Sequence, residues 1–549
     1  MNRPLSLVLL LLLATPAPAH AHHVKNQAHD TRGSLPLYTD LGTWHHAVKT
    51  KSQRAQKYFD QGLRMVYAFN HDEAIAAFAE AEKLDSTCAM APWGIALACG
   101  PNINLPIDPD RERTAYAAIE RAERRSAFAS PAEVAYIGAL AKRYSESGDG
   151  NRKKLNEAYA AAMRTVAQNH PEDADAQVLF AEAMMNLRPW DHWKQDGSPQ
   201  PGTEEIVTTL ERVLRKWPNH PGANHYYIHT VEASPDPGRA LAAADRLPGL
   251  MPGAGHIVHM PSHIYERTGR YADGVRANEK GIAADEKYIA ARNPQGVYPL
   301  MYYNHNIHFL WAGLSDIGKS REAIARARQV AAKVTPDMVA MMPMVEFIPP
   351  TSYYAYARFG EWDSLLALPK PPELMRYTNG MWHYARGLAL AAKGRFDEAT
   401  VARDSVDEIA DAIPEDLVVG LNTARPILRV AAALLAGDID YRAKRYDDAI
   451  GHYEDAVKKA DALKYDEPPA WYQPPRLFLG KALLDAGRAA DAEKVYREDL
   501  VHHPNLGWTL MGLTQALEAQ GKTREAGIAR AEFEKAWAGA DVKLTASRF

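Results

Sequence analysis

Cysteine is nearly absent from this sequence of 549 residues, which contains only Cys88 and Cys99. A dense disulfide framework is therefore excluded as the source of its stability. The two thiols fall near opposite ends of one predicted helix, about 16 Å apart at 1.5 Å per residue, which is beyond disulfide reach. We expect two buried, free thiols.

The chain also lacks an excess of positive charge. Its 64 Lys and Arg residues are balanced by 68 Asp and Glu residues, which gives a formal net charge of −4 and argues against a nucleic-acid partner. No glycine-rich nucleotide-binding loop and no Gly-x-Ser-x-Gly motif occurs. The zinc-protease pattern HExxH is missing as well, because Tyr226 follows His225 and Met260 follows His259.

One short apolar run stands at the N-terminus. Arg3 precedes the apolar stretch 5–13, and small residues at Ala17, Ala19 and Ala21 follow it. This pattern predicts a secretory signal peptide that is cleaved after Ala19 or Ala21, and hence a periplasmic or secreted protein. No later segment is long and apolar enough to span a membrane once the signal has been removed.

Helical patterns dominate the rest of the chain, and some features recur with a period of 34 residues. Gly360 and Gly394 are 34 apart, as are Gly487 and Gly521. Small and aromatic residues recur within these units: Gly62, Ala74, Phe78 and Ala81 in one unit, and Gly480, Leu483, Ala492, Tyr496 and Pro504 in another. Small residues let paired helices approach closely, and the aromatic ring fills the gap to the next pair.

On these residues the chain resembles the tetratricopeptide-repeat (TPR) family, most clearly at 55–100 and 435–535. The resemblance implies an all-α, right-handed superhelix of antiparallel helix pairs, with a concave face that binds peptides or proteins in many members. We expect this organisation: signal peptide 1–21, N-terminal segment and linker 22–54, N-terminal repeats 55–210, central histidine-rich repeats 211–330 and C-terminal repeats 331–549.

Histidine is enriched in the central repeats at helical spacing. The members are His225, His229, His256, His259, His263, His305 and His308. Residues three or four apart share one face of a helix, and neutral imidazole is the commonest transition-metal ligand. We place these histidines on three inner helices, with His256 in the loop that precedes the second, so that neighbouring helices could share one ion or bridge two.

The donor type favours copper or zinc, since a single nearby carboxylate, Glu232, fits poorly with a carboxylate-rich diiron site. Six or seven imidazoles match the ligand number of type-3 dicopper sites, in ligand type and number only. Glu232 is the candidate general acid/base, or else a ligand.

Three functions remain open on the sequence. The leading one is an exported metalloprotein with copper or zinc on the concave face, whose reaction, if it is an enzyme, is metal-dependent oxidation or hydrolysis. The second is a scaffold that binds a protein or peptide in the concave groove without metal, its histidines being ordinary polar groups. The third is a metal-trafficking protein without turnover.

Overall fold

The computed structural model describes residues 35–146 and 151–549, and Leu37–Phe549 form one compact unit. Helices make up nearly all of the regular secondary structure in the described residues. The exception is a two-stranded antiparallel hairpin, in which β1 (Val418–Val419) pairs with β2 (Asn422–Thr423). The predicted all-α class is therefore confirmed.

Twenty-six α-helices follow one another along the described residues. The N-terminal ones are α1 Gln53–Tyr67, α2 His71–Leu84, α3 Met90–Cys99, α4 Pro109–Arg124, α5 Pro131–Leu140, α6 Arg152–Asn169, α7 Ala174–Met185 and α8 Thr203–Lys216. The central ones are α9 Pro221–Val231, α10 Leu241–Leu250, α11 Gly255–His259, α12 Pro261–Arg267, α13 Tyr271–Arg292, α14 Tyr303–Asp316 and α15 Ser320–Ala331.

The C-terminal helices are α16 Pro336–Met341, α17 Thr351–Arg358, α18 Trp362–Leu366, α19 Arg376–Ala392, α20 Phe396–Ala412, α21 Ala424–Arg442, α22 Tyr446–Asp461, α23 Pro475–Asp485, α24 Ala489–His502, α25 Gly507–Ala519 and α26 Thr523–Ala536. Short 3-10 turns lie at Ser126–Phe128, Ala141–Arg143, Pro237–Ala240 and Pro343–Phe347, and a π-turn at Tyr298–Tyr302 leads into α14.

The helices are packed as a TPR-like solenoid. Most helices contact the next one in the chain, as α1 contacts α2 and α21 contacts α22. Alternate helices also contact one another, as in α1 with α3, α7 with α9, and α23 with α25. Sequential contacts of this kind are the defining property of a repeat array, in which each unit buries its apolar face against the next.

Aromatic rings hold successive pairs together where glycine leaves room for them. The Tyr496 ring of α24 lies against Gly480 of α23 and Gly512 of α25, where an added Cβ would stand 2.4 and 2.3 Å from its Cζ atom. Phe78 of α2 packs in the same way between Gly62 and Gly94. The small and aromatic residues of the repeat pattern therefore do have the packing role predicted for them.

The inner helices are buried on all sides rather than on one stripe. Every residue of α3, α7 and α9 is buried. One reason is that the array curls until α1 touches α9, although seven helices separate them in the chain. Another is that a later loop returns to the centre, so that the carboxylate of Glu467 reaches His263 on α12.

Other expectations have mixed outcomes. Cys88 and Cys99 are buried and free, as expected. Among the described residues no helix combines the length and apolar character needed to cross a membrane. The signal peptide and its cleavage positions lie outside the described residues, and the boundaries drawn within the repeats stay predictions.

The glycine–aromatic packing gives a prediction about stability. Gly480→Ala should lower the free energy of unfolding by ~1–3 kcal/mol, because the new methyl group overlaps the Tyr496 ring. Gly451→Ala on α22 is the matched control, since nothing lies within 4 Å of the added Cβ. It should raise stability by about 0.5–1 kcal/mol. Urea unfolding followed by circular dichroism measures both, and equal effects of the two substitutions would contradict the packing role.

Candidate metal centre

The first histidines stand on α9, which begins with Pro221 at its first position. The side chain of His220 caps the helix by accepting a hydrogen bond from the Ala223 amide. The helix then presents His225 and His229 on one face, and Glu232 follows at its C-terminal end. All three side chains are buried.

The next histidines come from two short helices in sequence. His256 and His259 belong to α11, and His263 belongs to α12, whose first residue is Pro261. The expected loop position of His256 is therefore wrong, because the helix already begins at Gly255. A proline at the first turn of α12 costs no hydrogen bond, which explains how the chain tolerates it here.

The structure brings six of the seven predicted histidines into two groups of three. The first trio is His225, His229 and His256, and the second trio is His259, His263 and His305. Within each trio, one ring nitrogen from each residue lies within 4.8 Å of the other two. Helix α11 contributes one histidine to each trio, so the two groups are adjacent.

Two pairs of ring nitrogens point directly at each other. Nε2 of His225 lies 3.1 Å from Nε2 of His256 in the first trio. Nε2 of His259 lies 2.8 Å from Nε2 of His263 in the second. Two such nitrogens repel when both carry lone pairs, so either a proton or a cation must stand between the members of each pair.

The hydrogen-bond partners of the outer ring nitrogens, Nδ1, explain why the inner ring nitrogens, Nε2, face one another. Nδ1 of His225 lies 2.6 Å from the carbonyl oxygen of Tyr67, a group that can only accept, so Nδ1 carries the proton. Nδ1 of His259 lies 2.6 Å from Oδ1 of Asn278, whose amide nitrogen donates to Gly274. In both residues Nε2 is therefore the free acceptor, which is the usual arrangement of metal-binding histidine.

A carboxylate joins the two trios from outside. Oε1 of Glu232 lies 2.9 Å from Nδ1 of His229, and Oε2 lies 2.8 Å from Nδ1 of His263. A second carboxylate, that of Glu467, also contacts Nδ1 of His263 and accepts a hydrogen bond from Tyr465. Glu232 thus orients one imidazole of each trio, on the side away from the facing nitrogens.

Burial keeps most of these imidazoles neutral. It lowers the pKa values of His225, His256, His259 and His305 well below the ordinary value, and the neighbouring histidines lower them further. Burial likewise lowers the pKa of His229 to about 3. Neutral imidazole is the form that binds a metal ion.

His263 is the exception. Burial disfavours its charged form, but the negative charges of Glu467 and Glu232 outweigh burial and raise its pKa to about 10. Without an ion, a proton on His263 can therefore bridge to His259. A metal ion in the second trio would supply the same positive charge opposite the two carboxylates.

Each trio lies against a phenylalanine ring. Phe69 stacks on His229 and His256, with ring centroids 5.8 and 5.5 Å apart. Phe309 stacks on His263 at 4.6 Å. Phe69 has a φ of 55°, a costly conformation for a bulky residue, and such strain is concentrated at functional sites.

The site lies in the interior, which corrects the expected groove-lining position. Of the two trios, only His305 is partly exposed. Trp190, from the loop after α7, is also partly exposed and meets His229 edge-on at a centroid distance of 5.6 Å. Each trio therefore has one partly exposed residue within it or against it.

His308 lies outside both trios. Its Nε2 atom is 3.2 Å from the Thr351 hydroxyl, and its ring stacks on Trp311 at 5.2 Å. It follows His305 by three residues on the same helix, yet its ring packs among other aromatic side chains. Sequence spacing alone could not separate these two positions.

Three groups that orient imidazoles of the trios are not predicted from the sequence: the Tyr67 carbonyl, Asn278 and Glu467. A backbone carbonyl leaves no mark in a sequence, and Glu467 lies far along the chain in another repeat. Asn278 has the better signal, because it sits on the helix that follows the second histidine pair. Tertiary packing alone identifies all three.

A buried carboxylate, Asp175, is the centre of a hydrogen-bond network that reaches the first trio through Tyr67. Asp175 of α7 accepts hydrogen bonds from the Tyr67 hydroxyl, from Nε1 of Trp44 at 3.0 Å and from His220. Nδ1 of His46 lies 2.8 Å from its other oxygen. With Asp173, these groups could also hold a cation, but the Asp175 oxygens already have four protein partners. We assign them a structural role in fixing Tyr67, whose carbonyl orients His225.

Comparisons with known proteins assign neither a family nor a function to the chain. No protein-family model matches the chain, and no curated protein matches it. Among solved structures, it is similar to the human IFIT1 dimer with m7Gppp-AAAA, at 12% identity over 89% of this chain and 90% of that one, with a TM-score of 0.31. It is also similar to yeast Tom70, at 12% identity over 86% and 90%, with a TM-score of 0.25.

The Asp175 network predicts a pH dependence of stability. Burial opposes the charge on His46, but the hydrogen bond and charge of Asp175 outweigh it and raise the pKa to about 9. The folded state therefore holds this proton more tightly than the unfolded state. The resulting stabilisation is complete below pH 6.5 and is lost as the pH rises to about 9, on the order of 2–3 kcal/mol.

The stability difference between wild type and His46→Gln, measured by urea unfolding, should therefore shrink across this pH range. Gln keeps a hydrogen-bond donor but cannot titrate, so the comparison cancels the contributions of other groups. A constant difference from pH 6.5 to 9 would contradict the assignment.

Proposed function

We propose that this chain is an exported solenoid metalloprotein that binds two copper ions, one in each trio, and uses them in oxidation–reduction chemistry. The carrying observation is the pair of facing Nε2 contacts, at 3.1 and 2.8 Å, in which Nδ1 of His225, His259 and His263 is held by an oxygen acceptor. A cation removes the repulsion between lone pairs and gains several ligands at once.

The donor set favours copper among the transition metals. Six imidazoles without a thiolate or an inward carboxylate suit copper and zinc, and copper binds more tightly than zinc in the divalent series. Two copper ions would supply one-electron steps. Glu232 and Glu467 provide negative charge near the ions, which offsets the cost of burying positive charge.

The placement of Glu232 bears on the choice between oxidation and hydrolysis. Zinc-dependent hydrolysis needs a base beside the water that the ion activates. Both oxygens of Glu232 instead lie on the outer nitrogens of His229 and His263. This arrangement supports an orienting role for Glu232 and favours redox chemistry over its predicted general acid/base role.

A metal-free scaffold that binds a protein or peptide is the second candidate. The helical solenoid is compatible with this candidate as well as with the metalloprotein. The two candidates differ at the centre, where the scaffold would hold protons in the two trios and the metalloprotein would hold ions. The metal content of the protein separates the two candidates.

The metal proposal predicts two copper ions per chain in the mature, tag-free protein purified from the exported fraction. His229→Ala should remove the ion of the first trio and His263→Ala that of the second, because loss of one ligand costs metal affinity strongly. Inductively coupled plasma mass spectrometry measures the stoichiometry.

His308→Ala is the matched control for these variants. His308 is a buried histidine on the same helix as His305, but its partners are Thr351 and Trp311. It should keep both ions. Protein without metal, or equal retention in all three variants, would leave the metal-free scaffold, and two zinc ions would change the chemistry to hydrolysis.

The position of Glu232 predicts a separate effect. Glu232→Gln keeps the size of the side chain but weakens the hold on two imidazoles, so copper affinity should fall about 10–100-fold. Glu211→Gln, whose carboxylate bonds to Tyr227 and Arg239 on the outer side of the array, should leave affinity unchanged. Competition with a chromophoric chelator gives both affinities, and a Glu232 variant as tight as wild type would refute the orienting role.

A further inference from the structure

A row of tyrosine rings leads away from the first trio. The ring of Tyr302 meets the His256 ring edge-on at a centroid distance of 4.8 Å. Tyr298 follows at 5.5 Å from Tyr302, and Tyr288 follows at 5.5 Å from Tyr298. Four rings therefore stand in near contact, and the three tyrosines come from α13 and from the π-turn before α14.

Two of these phenols have a carboxylate placed to accept their proton. The Tyr298 hydroxyl donates to Oδ1 of Asp285 at 2.8 Å, and Asn306 holds the other oxygen of Asp285 at 2.7 Å. The Tyr288 hydroxyl donates to Oε2 of Glu73 at 3.2 Å. A phenol gives up an electron far more readily when its proton can move to a neighbouring base, so both residues are suited to transient oxidation.

The row ends near the protein surface. Tyr302 and Tyr298 are buried, whereas Tyr288 is partly exposed. Glu73, the proton acceptor of Tyr288, also accepts from the hydroxyl of Tyr38, which is partly exposed as well. The rings thus connect the buried trio with solvent on one side of α13.

Burial of the first trio means that electrons could reach it only through intervening groups such as these rings. His225, His229 and His256 are buried, and Phe69 lies against all three rings. A protein or other large electron donor could not contact an ion held there. Electron tunnelling weakens steeply with distance, so closely spaced oxidisable rings allow transfer in several short steps instead of one long one.

We propose that Tyr288, Tyr298 and Tyr302 form an electron-transfer route between an external one-electron donor at the surface and the copper ion of the first trio. The inference rests on the proposed function, because it requires a redox-active ion there. It adds a surface site of electron entry, at Tyr288, and a partner class: a reductant that gives one electron at a time.

Electrons and protons balance at each residue of the row. Tyr298 passes one electron through the Tyr302 ring to the cupric ion, which becomes cuprous, and its phenolic proton moves to Asp285. Tyr288 then reduces Tyr298, as Asp285 returns that proton and Glu73 takes the proton of Tyr288. The external donor reduces Tyr288 and Glu73 gives its proton back. The donor has lost one electron, the copper ion has gained one, and no proton is consumed.

The experiment uses the full-length, copper-loaded protein and hexaammineruthenium(II), an outer-sphere reductant that cannot enter the site. Tyr298→Phe and Tyr288→Phe keep the rings but remove the phenol that is oxidised. In stopped-flow measurements, each should slow reduction of the copper at least about tenfold, since a small rise in barrier suffices for that change. Copper content, measured on the same samples, should equal that of wild type.

Tyr303→Phe is the matched control. Tyr303 adjoins Tyr302 in the chain and is similarly buried, but its hydroxyl bonds to Glu286, away from the row. Its variant should be reduced at the wild-type rate. Full copper with unchanged rates in the Tyr298 and Tyr288 variants overturns the route and leaves the metal site standing. Absence of copper from wild type overturns both.

Discussion

The central constraint on this molecule is the gathering of six imidazoles in its interior, four of which face one another in pairs through Nε2. Nε2 contacts of 3.1 and 2.8 Å are tolerable only with a proton or a cation between the facing nitrogens. The surroundings differ between the two trios: burial keeps the imidazoles of the first neutral, and Glu232 and Glu467 place negative charge behind the second. One proton satisfies each facing pair, whereas the proposed ion in each trio would also engage His229 and His305.

The solenoid supplies this arrangement by curling rather than by its repeats alone. A straight array brings only neighbouring helices together, yet the anchor of His225 is the carbonyl of Tyr67 on α1, and α1 reaches α9 because the array closes on itself. The Asp175 network holds Tyr67 by its hydroxyl, and the loop carrying Glu467 returns from a later repeat. The site is therefore a property of the whole compact unit.

The sequence predicts the local part of this structure well and the long-range part poorly. Helical spacing was enough to place His225, His229, His259 and His263 on shared faces, and the 34-residue period predicted the packing of Gly480 against Tyr496. It could not separate His308 from His305, because a difference in ring direction depends on Thr351 and Trp311. It also missed Glu467, since the curvature that brings this residue to His263 is the sum of many small helix–helix rotations. Burial of the trios could not be predicted for the same reason. A repeat pattern indicates which residues lie on the inner face, but not whether other parts of the chain cover that face.

Filling the inner face changes what kind of chemistry the centre suits. An open groove would admit a peptide, and a hydrolytic ion would need water and a base on its inner side. Here Phe69 and Phe309 lie against the rings, and the oxygens of Glu232 are turned to the outer nitrogens. Electrons, unlike peptides, need no open path. A row of rings about as closely spaced as the imidazoles themselves joins His256 to the partly exposed Tyr288, so the features that shield the centre from large molecules are compatible with a centre that exchanges electrons.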